Sequence, residues 1–134
     1  MPILSRILKK EGRILVLYMA WLPEEDQIAG ASEALALKYN PKWSGAGERI
    51  HPIEIDPIYQ TNFEPVFREE FLLNVPFTRE TWHGRMKTCR GIGASLSDDE
   101  IARWEKEHLD LLQKIAPREF KIKHYGAIAE LKKR

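Results

Sequence analysis

The chain has 134 residues, of which 43% are hydrophobic, enough apolar material for one domain with one core. Its 21 Lys and Arg nearly cancel its 20 Asp and Glu, and the net charge of +1 argues against nucleic acid or an anionic membrane as a partner. A single cysteine, the absence of a secretory signal and the lack of any apolar run near the roughly 20 residues of a membrane span predict a cytoplasmic protein.

The first 22 residues predict a short helix followed by a strand. Apolar residues from Ile3 to Leu8 recur at helical spacing, and Gly12 marks the end of that helix. The segment from Arg13 to Leu22 is apolar without alternation. This pattern predicts a strand that is buried on both faces, as in the middle of a parallel sheet.

A second helix and a long loop are predicted next. Pro23 and the acidic residues 24–26 are typical of a first helical turn, and the helix should end before Asn40 and Pro41. Residues 41–65 contain four prolines and two glycines, so we expect an irregular connection in which only residues 50–58 are extended.

The second half predicts strand, helix, helix and strand. A strand over residues 67–77 should end at Pro76, and Thr78 can cap a helix that ends near Gly91. Ser97 and Glu100 form a capping box for a helix that ends at Ala116. Residues 120–131 alternate as a final strand, with Phe120, Ile122 and His124 on the inner face and Lys121, Lys123 and Tyr125 on the outer face.

This order of elements fits the second half of a doubly wound α/β domain, and particular residues extend the likeness. Residues 7–14 (ILKKEGRI) resemble the step into the fifth strand of class I methyltransferases. Residues 77–85 (FTRETWHGR), 89–96 (CRGIGASL) and the pair Glu107-His108 resemble the C-terminal region of the small-molecule, S-adenosylmethionine-dependent methyltransferases of that class.

The resemblance implies an α/β fold that is the C-terminal half of a Rossmann-like methyltransferase. We expect three or four strands in a mixed sheet, about four helices, and a single partial domain over residues 1–134 with its loop at 41–65. The implied activity is methyl transfer from S-adenosylmethionine to a small molecule. The alternative is a non-catalytic module, dimeric or ligand-binding, derived from such an enzyme.

The family holds its cofactor on a glycine-rich turn after the first strand, with an acidic residue about twenty positions later. Neither feature occurs here, and the glycines at 45–47 and 91–93 are interpreted as ordinary turns. We therefore predict no cofactor-binding residues in this chain and expect it to be incomplete as a catalyst by itself.

A strand from Arg13 to Leu22 without its upstream neighbours would leave unpaired backbone groups beside apolar side chains. We expect a homodimer or a separate partner chain to cover that edge. A truncated gene product is the remaining interpretation of the missing half.

Two groups of residues are candidates for substrate binding. Tyr18 and Trp21 lie near the carboxyl end of the predicted strand, where ligands bind in open α/β sheets, although core packing would also explain both. The second group could offer an aromatic wall and guanidinium forks to a carboxylate or phosphate, unless its tryptophan is core and its arginines cap a helix. It consists of Trp82, His83, Arg85 and Arg90.

The remaining histidines and the cysteine are predicted to be structural. His108 lies on an apolar helical stripe and His124 on the inner face of a strand, which favours buried, hydrogen-bonded side chains. No short-spaced ligand pair indicates a metal site, and no acid–base group beside Cys89 indicates a nucleophile.

Overall fold

The computed structural model describes residues 2–134, with Pro2 through its backbone only. That part of the chain has five helices and three strands, so the predicted α/β class is confirmed. In chain order they are α1 (Pro2–Ile7), β1 (Arg13–Trp21), α2 (Gln27–Tyr39), α3 (Pro57–Gln60), β2 (Phe63–Thr78), α4 (Arg79–Lys87), α5 (Asp98–Ile115) and β3 (Glu119–Lys133).

The three strands form one sheet in the order β1-β3-β2. The Lys133 N–H donates to the Gly12 carbonyl, and the Leu22 N–H donates to the Lys123 carbonyl, each at 2.9 Å. These pairs make β3 antiparallel to β1. Similar bonds, from Arg134 to Asn62 and from Arg79 to Arg118, make β3 antiparallel to β2. Consequently β1 and β2 run in the same direction but are not hydrogen-bonded to each other, because β3 lies between them.

The strand predicted from Arg13 to Leu22 is present as β1, but its predicted burial on both faces and the predicted mixed sheet with parallel pairing are wrong. β1 is an edge strand with an antiparallel neighbour, and Leu15, Leu17 and Met19 on one of its faces are 59%, 66% and 55% exposed. A continuous apolar run shows that a strand favours burial, but it does not specify which neighbours the chain provides.

The second helix begins later than predicted. Pro23 and the next two residues form a turn, and Asp26 is the N-cap of α2 rather than part of its first turn. Its carboxylate accepts from the N–H groups of Ile28 and Ala29, both at 3.0 Å, which satisfies two donors that the helix leaves unpaired. The predicted end before Asn40 is confirmed.

The loop from 41 to 65 is shorter than expected at its distal end. Residues 50–56 have no regular structure, residues 57–60 form α3, and β2 begins at Phe63, so the extended segment predicted for 50–58 is wrong. β2 also continues past Pro76 to Thr78. An edge strand can contain proline because the missing N–H need not face a neighbouring strand.

The N-cap predictions for α4 and α5 are confirmed, whereas α4 ends at Lys87, before the predicted end near Gly91. Thr78 and Thr81 form a capping box at the start of α4, and Ser97 and Glu100 form another at the start of α5. In β3 the predicted alternation holds as far as His124, whereas Tyr125 is fully buried rather than exposed. As the middle strand, β3 has less access to solvent than an edge strand.

The chain divides into two compact units, and each is described by itself. The helical unit comprises residues 21–49 and 73–124, and its core is formed by Trp21, Ala29, Ala36, Trp82, Met86, Cys89, Ile92, Trp104, Leu112, Ala116 and Ile122. Within it, α5 packs against both α2 and α4.

The sheet unit comprises residues 2–20, 50–72 and 125–134. Its buried apolar residues are Phe63 and four residues of β3, namely Tyr125, Ala127, Ala129 and Leu131. Gly126 lies against the ring of Phe71, because a Cβ atom at this position would be only 2.7 Å from Phe71 Cζ. In both units, no helix of residues 2–134 is long and apolar enough to cross a membrane.

Candidate functional site

The indole of Trp21 anchors the first polar cluster of the helical unit, at the carboxyl end of β1. Its Nε1–H donates to Glu33 Oε2 at 2.7 Å, and the Gly47 N–H donates to Glu33 Oε1 at 2.6 Å. Glu33 is buried, so these two donors replace water on both of its carboxylate oxygens. The position of Trp21 is therefore fixed by a hydrogen bond as well as by packing.

Arg85 lies over the same indole. Its guanidinium carbon is 4.9 Å from the ring centroid of Trp21, a cation–π contact, while the Trp82 ring meets Trp21 edge-on at 5.5 Å. Arg85 remains exposed, and within residues 2–134 its guanidinium has no ion pair. The five N–H donors of this side chain are available to an anion.

A second polar cluster, the histidine cluster, joins α2, α4 and α5 in the core of the helical unit. We define it as Ser32, Trp82, His83, Trp104, Glu105 and His108. His83 Nδ1 and His108 Nδ1 are 2.8 Å apart, and His108 Nε2 is 2.8 Å from Ser32 Oγ. Ser32 Oγ also accepts from Trp82 Nε1–H at 2.9 Å. The hydrogen-bonded chain therefore runs from one helix to the next through the core.

The outer end of the histidine cluster reaches a carboxylate. His83 Nε2 is 3.3 Å from Glu105 Oε2, and Lys87 Nζ is 2.7 Å from Glu105 Oε1. The hydrogen bond from Lys87, followed by that from His83, holds the pKa of Glu105 below its usual value. Glu105 is therefore anionic at neutral pH.

The two histidine rings and an indole form a stack. Trp104 lies 5.1 Å from His83 and 4.8 Å from His108, centroid to centroid, with interplanar angles of 14° and 15°. Burial, and then the electrostatic effect of the neighbouring His83, lowers the pKa of His108 to about 4. His108 is therefore neutral at pH 7, as expected for a buried, hydrogen-bonded histidine.

The other two groups that were predicted to be structural are buried. His124 stacks with Phe77 at 6.1 Å, its Nδ1 is 2.9 Å from the Ile122 carbonyl, and burial lowers its pKa. Burial raises the pKa of the Cys89 thiol, against weaker opposing hydrogen bonds from the backbone of Gly91 and Ile92. The thiol is protonated at neutral pH, which does not favour a nucleophile.

Of the six predicted site residues, the structure brings three together in the helical unit, namely Trp21, Trp82 and Arg85, and places His83 in the histidine cluster. Trp82 is fully buried and His83 is 8% exposed, so they shape the site more than they face solvent. Arg90 lies exposed in the turn after α4. Tyr18 belongs to the sheet unit, where its ring lies about 6 Å from those of His51 and Tyr125.

Sequence reasoning missed three of the polar residues that organise this region. Ser32 and Glu33 lie next to each other in α2, a helix otherwise rich in small apolar residues, and both are buried. A polar pair in such a helix was the available signal. Glu105 follows Trp104 on α5. It gave no such signal, because an acidic residue is ordinary on a helix surface.

Surface grooves lie elsewhere in the helical unit. One of about 550 Å³ is bordered by Pro76 to Thr78, Thr81 and residues 119–121, and another of about 420 Å³ lies between α2 and α5. Neither groove is lined by Trp21 or Arg85.

The described residues include no group of three or more His, Cys, Asp or Glu arranged to hold a metal ion. The sequence was compared with known protein families and with curated proteins, and the fold with solved structures. None of the three comparisons gives a match.

Proposed function

We propose that this chain is the substrate-side part of an S-adenosylmethionine-dependent methyltransferase that acts on a small molecule. One observation carries the proposal. The segments whose sequence resembles that family contribute Trp82 and Arg85, and both residues meet Trp21 at the carboxyl end of β1. In the parallel sheets of that family, ligands bind beyond the carboxyl ends of the strands. Because β1 pairs with an antiparallel strand here, this position is supported by the resemblance rather than by the sheet.

The chemistry of the site favours an anionic substrate. The exposed guanidinium of Arg85 can donate two parallel hydrogen bonds to a carboxylate or phosphate, and the Trp21 ring beneath it limits its motion. Methyl transfer needs an in-line approach of two reactants, so holding the acceptor in a fixed orientation supplies much of the rate enhancement. The role proposed for Arg85 is this positioning.

The residues present do not fit a cofactor cradle. The glycines at 45–47 follow α2 and those at 91–93 follow α4, so neither turn comes after a strand whose end would direct it at a ligand. The Trp43 ring also occupies the space beside Gly91, because a Cβ atom at this position would lie 2.5 Å from it. We derive no step through the cofactor from this chain and propose that other strands supply its site.

The free edge of β1 is the proposed place for those strands. Across its nine residues β1 has one charge, Arg13, and no proline, whereas the other edge strand, β2, contains Pro65, Pro76 and several charges. Charged residues and prolines protect edge strands from pairing. β1 has little such protection, which supports a partner chain, either a second copy or a separate cofactor-binding half.

The test combines calorimetric titration of S-adenosylmethionine with light scattering and hydrogen exchange of β1. We expect a monomer with an exposed β1 edge to show no binding up to millimolar cofactor. An assembly in which that edge is covered should bind at micromolar concentration. A monomer that binds at micromolar concentration would contradict the division of roles.

The second candidate is a non-catalytic module that is dimeric or binds a ligand. The complete burial of Trp82 favours it, since this residue cannot form a wall that a substrate touches. An assembly whose β1 edge is covered, yet which binds no S-adenosylmethionine at millimolar concentration, would establish this candidate and overturn the first.

A further inference from the structure

The histidine cluster has a direction that its chemistry determines. Glu105 is an anion and only accepts, so His83 Nε2 must carry the proton that lies between them. A neutral His83 then has a bare Nδ1, which must accept from His108 Nδ1–H across 2.8 Å. His108 Nε2 is consequently an acceptor, and the hydroxyl of Ser32 donates to it at 2.8 Å.

The inner end of the chain agrees with this direction. The Nε1–H of Trp82 can only donate, and it does so to Ser32 Oγ, which leaves the hydroxyl proton of Ser32 free to point at His108. Every polar atom from Trp82 to Glu105 along this path is then satisfied, with both histidines neutral. The opposite tautomers would place a bare His83 Nε2 lone pair against the Glu105 carboxylate.

One added proton has a preferred location. His83 lies beside the Glu105 anion and is 8% exposed, whereas His108 is fully buried and has no carboxylate within hydrogen-bonding distance. The proton shared between the two Nδ1 atoms therefore moves from His108 to His83, and His108 carries its proton on Nε2 instead. The pair has gained one proton, which resides on a doubly donating His83.

We propose that Ser32, His108, His83 and Glu105 form a proton relay whose direction reverses when the pair of histidines gains one proton. In the reversed state Ser32 Oγ receives N–H groups from both Trp82 and His108. Its own hydroxyl proton loses its acceptor and must turn to another group, such as a carbonyl one turn earlier in α2. The relay therefore links the protonation state at the surface of α5 to a hydrogen bond inside α2.

Other charged groups near the relay are accounted for. On α4, Lys87 pairs with Glu105 and keeps it ionised. On α2, the buried Glu33 is occupied by Trp21 and Gly47. On α5, Glu107 is paired with Lys38 at 2.6 Å. Glu105 is the carboxylate that contacts the relay, so its removal should have a specific effect.

The test is long-range ¹H–¹⁵N NMR of the histidine side chains in the full chain, recorded as the pH is lowered from neutrality. At pH 7 we expect His108 to carry its proton on Nδ1 and His83 on Nε2. As the pair gains one proton, the His108 signal should change to the Nε2–H tautomer. A His108 that is an Nε2–H tautomer at pH 7, or that does not respond to His83, overturns the relay.

Two matched variants on α5 sharpen the test. Glu105→Gln removes the anion that accepts from His83 Nε2–H, so the tautomer change of His108 should require a lower pH than in the unaltered chain. Glu107→Gln alters a carboxylate on the same helix that pairs with Lys38 and should leave the change where it is. Equal behaviour of the two variants would contradict the relay, because Glu105 would then have no role in it.

Discussion

The two units of this chain bury their apolar side chains to different extents. The helical unit encloses three tryptophans, and the five buried polar residues in the described part of the chain all belong to it. The sheet unit instead exposes twelve of the fourteen large hydrophobic residues that face solvent, among them Leu15, Leu17 and Met19. A closed core indicates a unit that buries its own apolar side chains. Exposed apolar strands instead indicate a surface that binds a partner.

The largest effect should come from the core of the helical unit. Trp82→Ala is expected to lower the free energy of unfolding by about 3 to 5 kcal/mol, because it leaves a cavity and removes a donor to Ser32. Leu72→Ala, at an exposed position of the sheet unit, should change it by less than about 0.5 kcal/mol. Urea unfolding measures both values. Similar losses for the two variants would break the distinction between the units.

The next effect is a pH dependence that also belongs to the helical unit. His108 has a pKa of about 4 in the folded chain against 6.5 in the unfolded chain. Since the unfolded chain binds the proton first, stability should fall as the pH drops below about 6.5, by about 3 kcal/mol once the pH is below 4.

Unfolding of His108→Gln, compared with the unaltered chain at pH 7 and pH 4, isolates that contribution. The loss between the two pH values should be smaller in His108→Gln by most of this amount. Leu109→Gln, at an exposed position of the same helix, serves as the control and should keep the full loss. An unchanged pH dependence in His108→Gln would show that His108 is not buried in its neutral form.

A smaller effect distinguishes two helix caps of the same kind. Asp26 caps α2, a helix of 13 residues, and its second oxygen accepts from the Lys123 N–H at 2.9 Å. Asp26→Ala should therefore cost about 1 to 2 kcal/mol. Asp56 caps α3, which has four residues and none of them buried, so Asp56→Ala should cost only a few tenths of a kcal/mol. Thermal unfolding of the two variants tests this order.

The smallest expected effect on stability is at β1. Leu17→Lys should change the free energy of unfolding of the monomer by less than about 0.5 kcal/mol, since this side chain is mostly exposed. The same change places a charge on the unprotected edge and should abolish association through it. Light scattering of the two proteins over a range of concentrations separates the effects. Association that survives in Leu17→Lys would move the interface elsewhere.

Local signals in the sequence predicted much of the fold. The capping boxes at Thr78 and Ser97 and the end of α2 before Asn40 depend on residues a few positions apart, so the sequence predicts them directly. The pairing of β3 with β1 joins residues such as Gly12 and Lys133, and its pairing with β2 joins residues such as Asn62 and Arg134. These residues lie far apart in the sequence, and no short pattern encodes either pairing. The apolar run of β1 therefore suggested a central strand where the structure has an edge.

The candidate site shows the same division. Trp82, His83 and Arg85 were found because they follow one another on a single helix with a recognisable pattern. Their partners Ser32 and Glu105 come from two other helices and meet His83 and His108 only through the packing of α2 and α4 on α5. Such contacts follow from tertiary structure, and the local sequence of each helix does not encode them.

Hydrogen exchange of individual β1 amides tests most directly whether the sheet unit lacks a neighbour. Because Gly12 and Leu22 both face β3, alternation along the strand directs the N–H groups of even-numbered residues toward β3 and those of odd-numbered residues toward the open edge. In the monomer, we predict slow exchange at Ile14 and Val16 and fast exchange at Leu15, Leu17 and Met19. Binding of a partner strand should slow these three. Exchange in the monomer that is equally slow at odd and even positions would contradict the account, because the edge would already be covered.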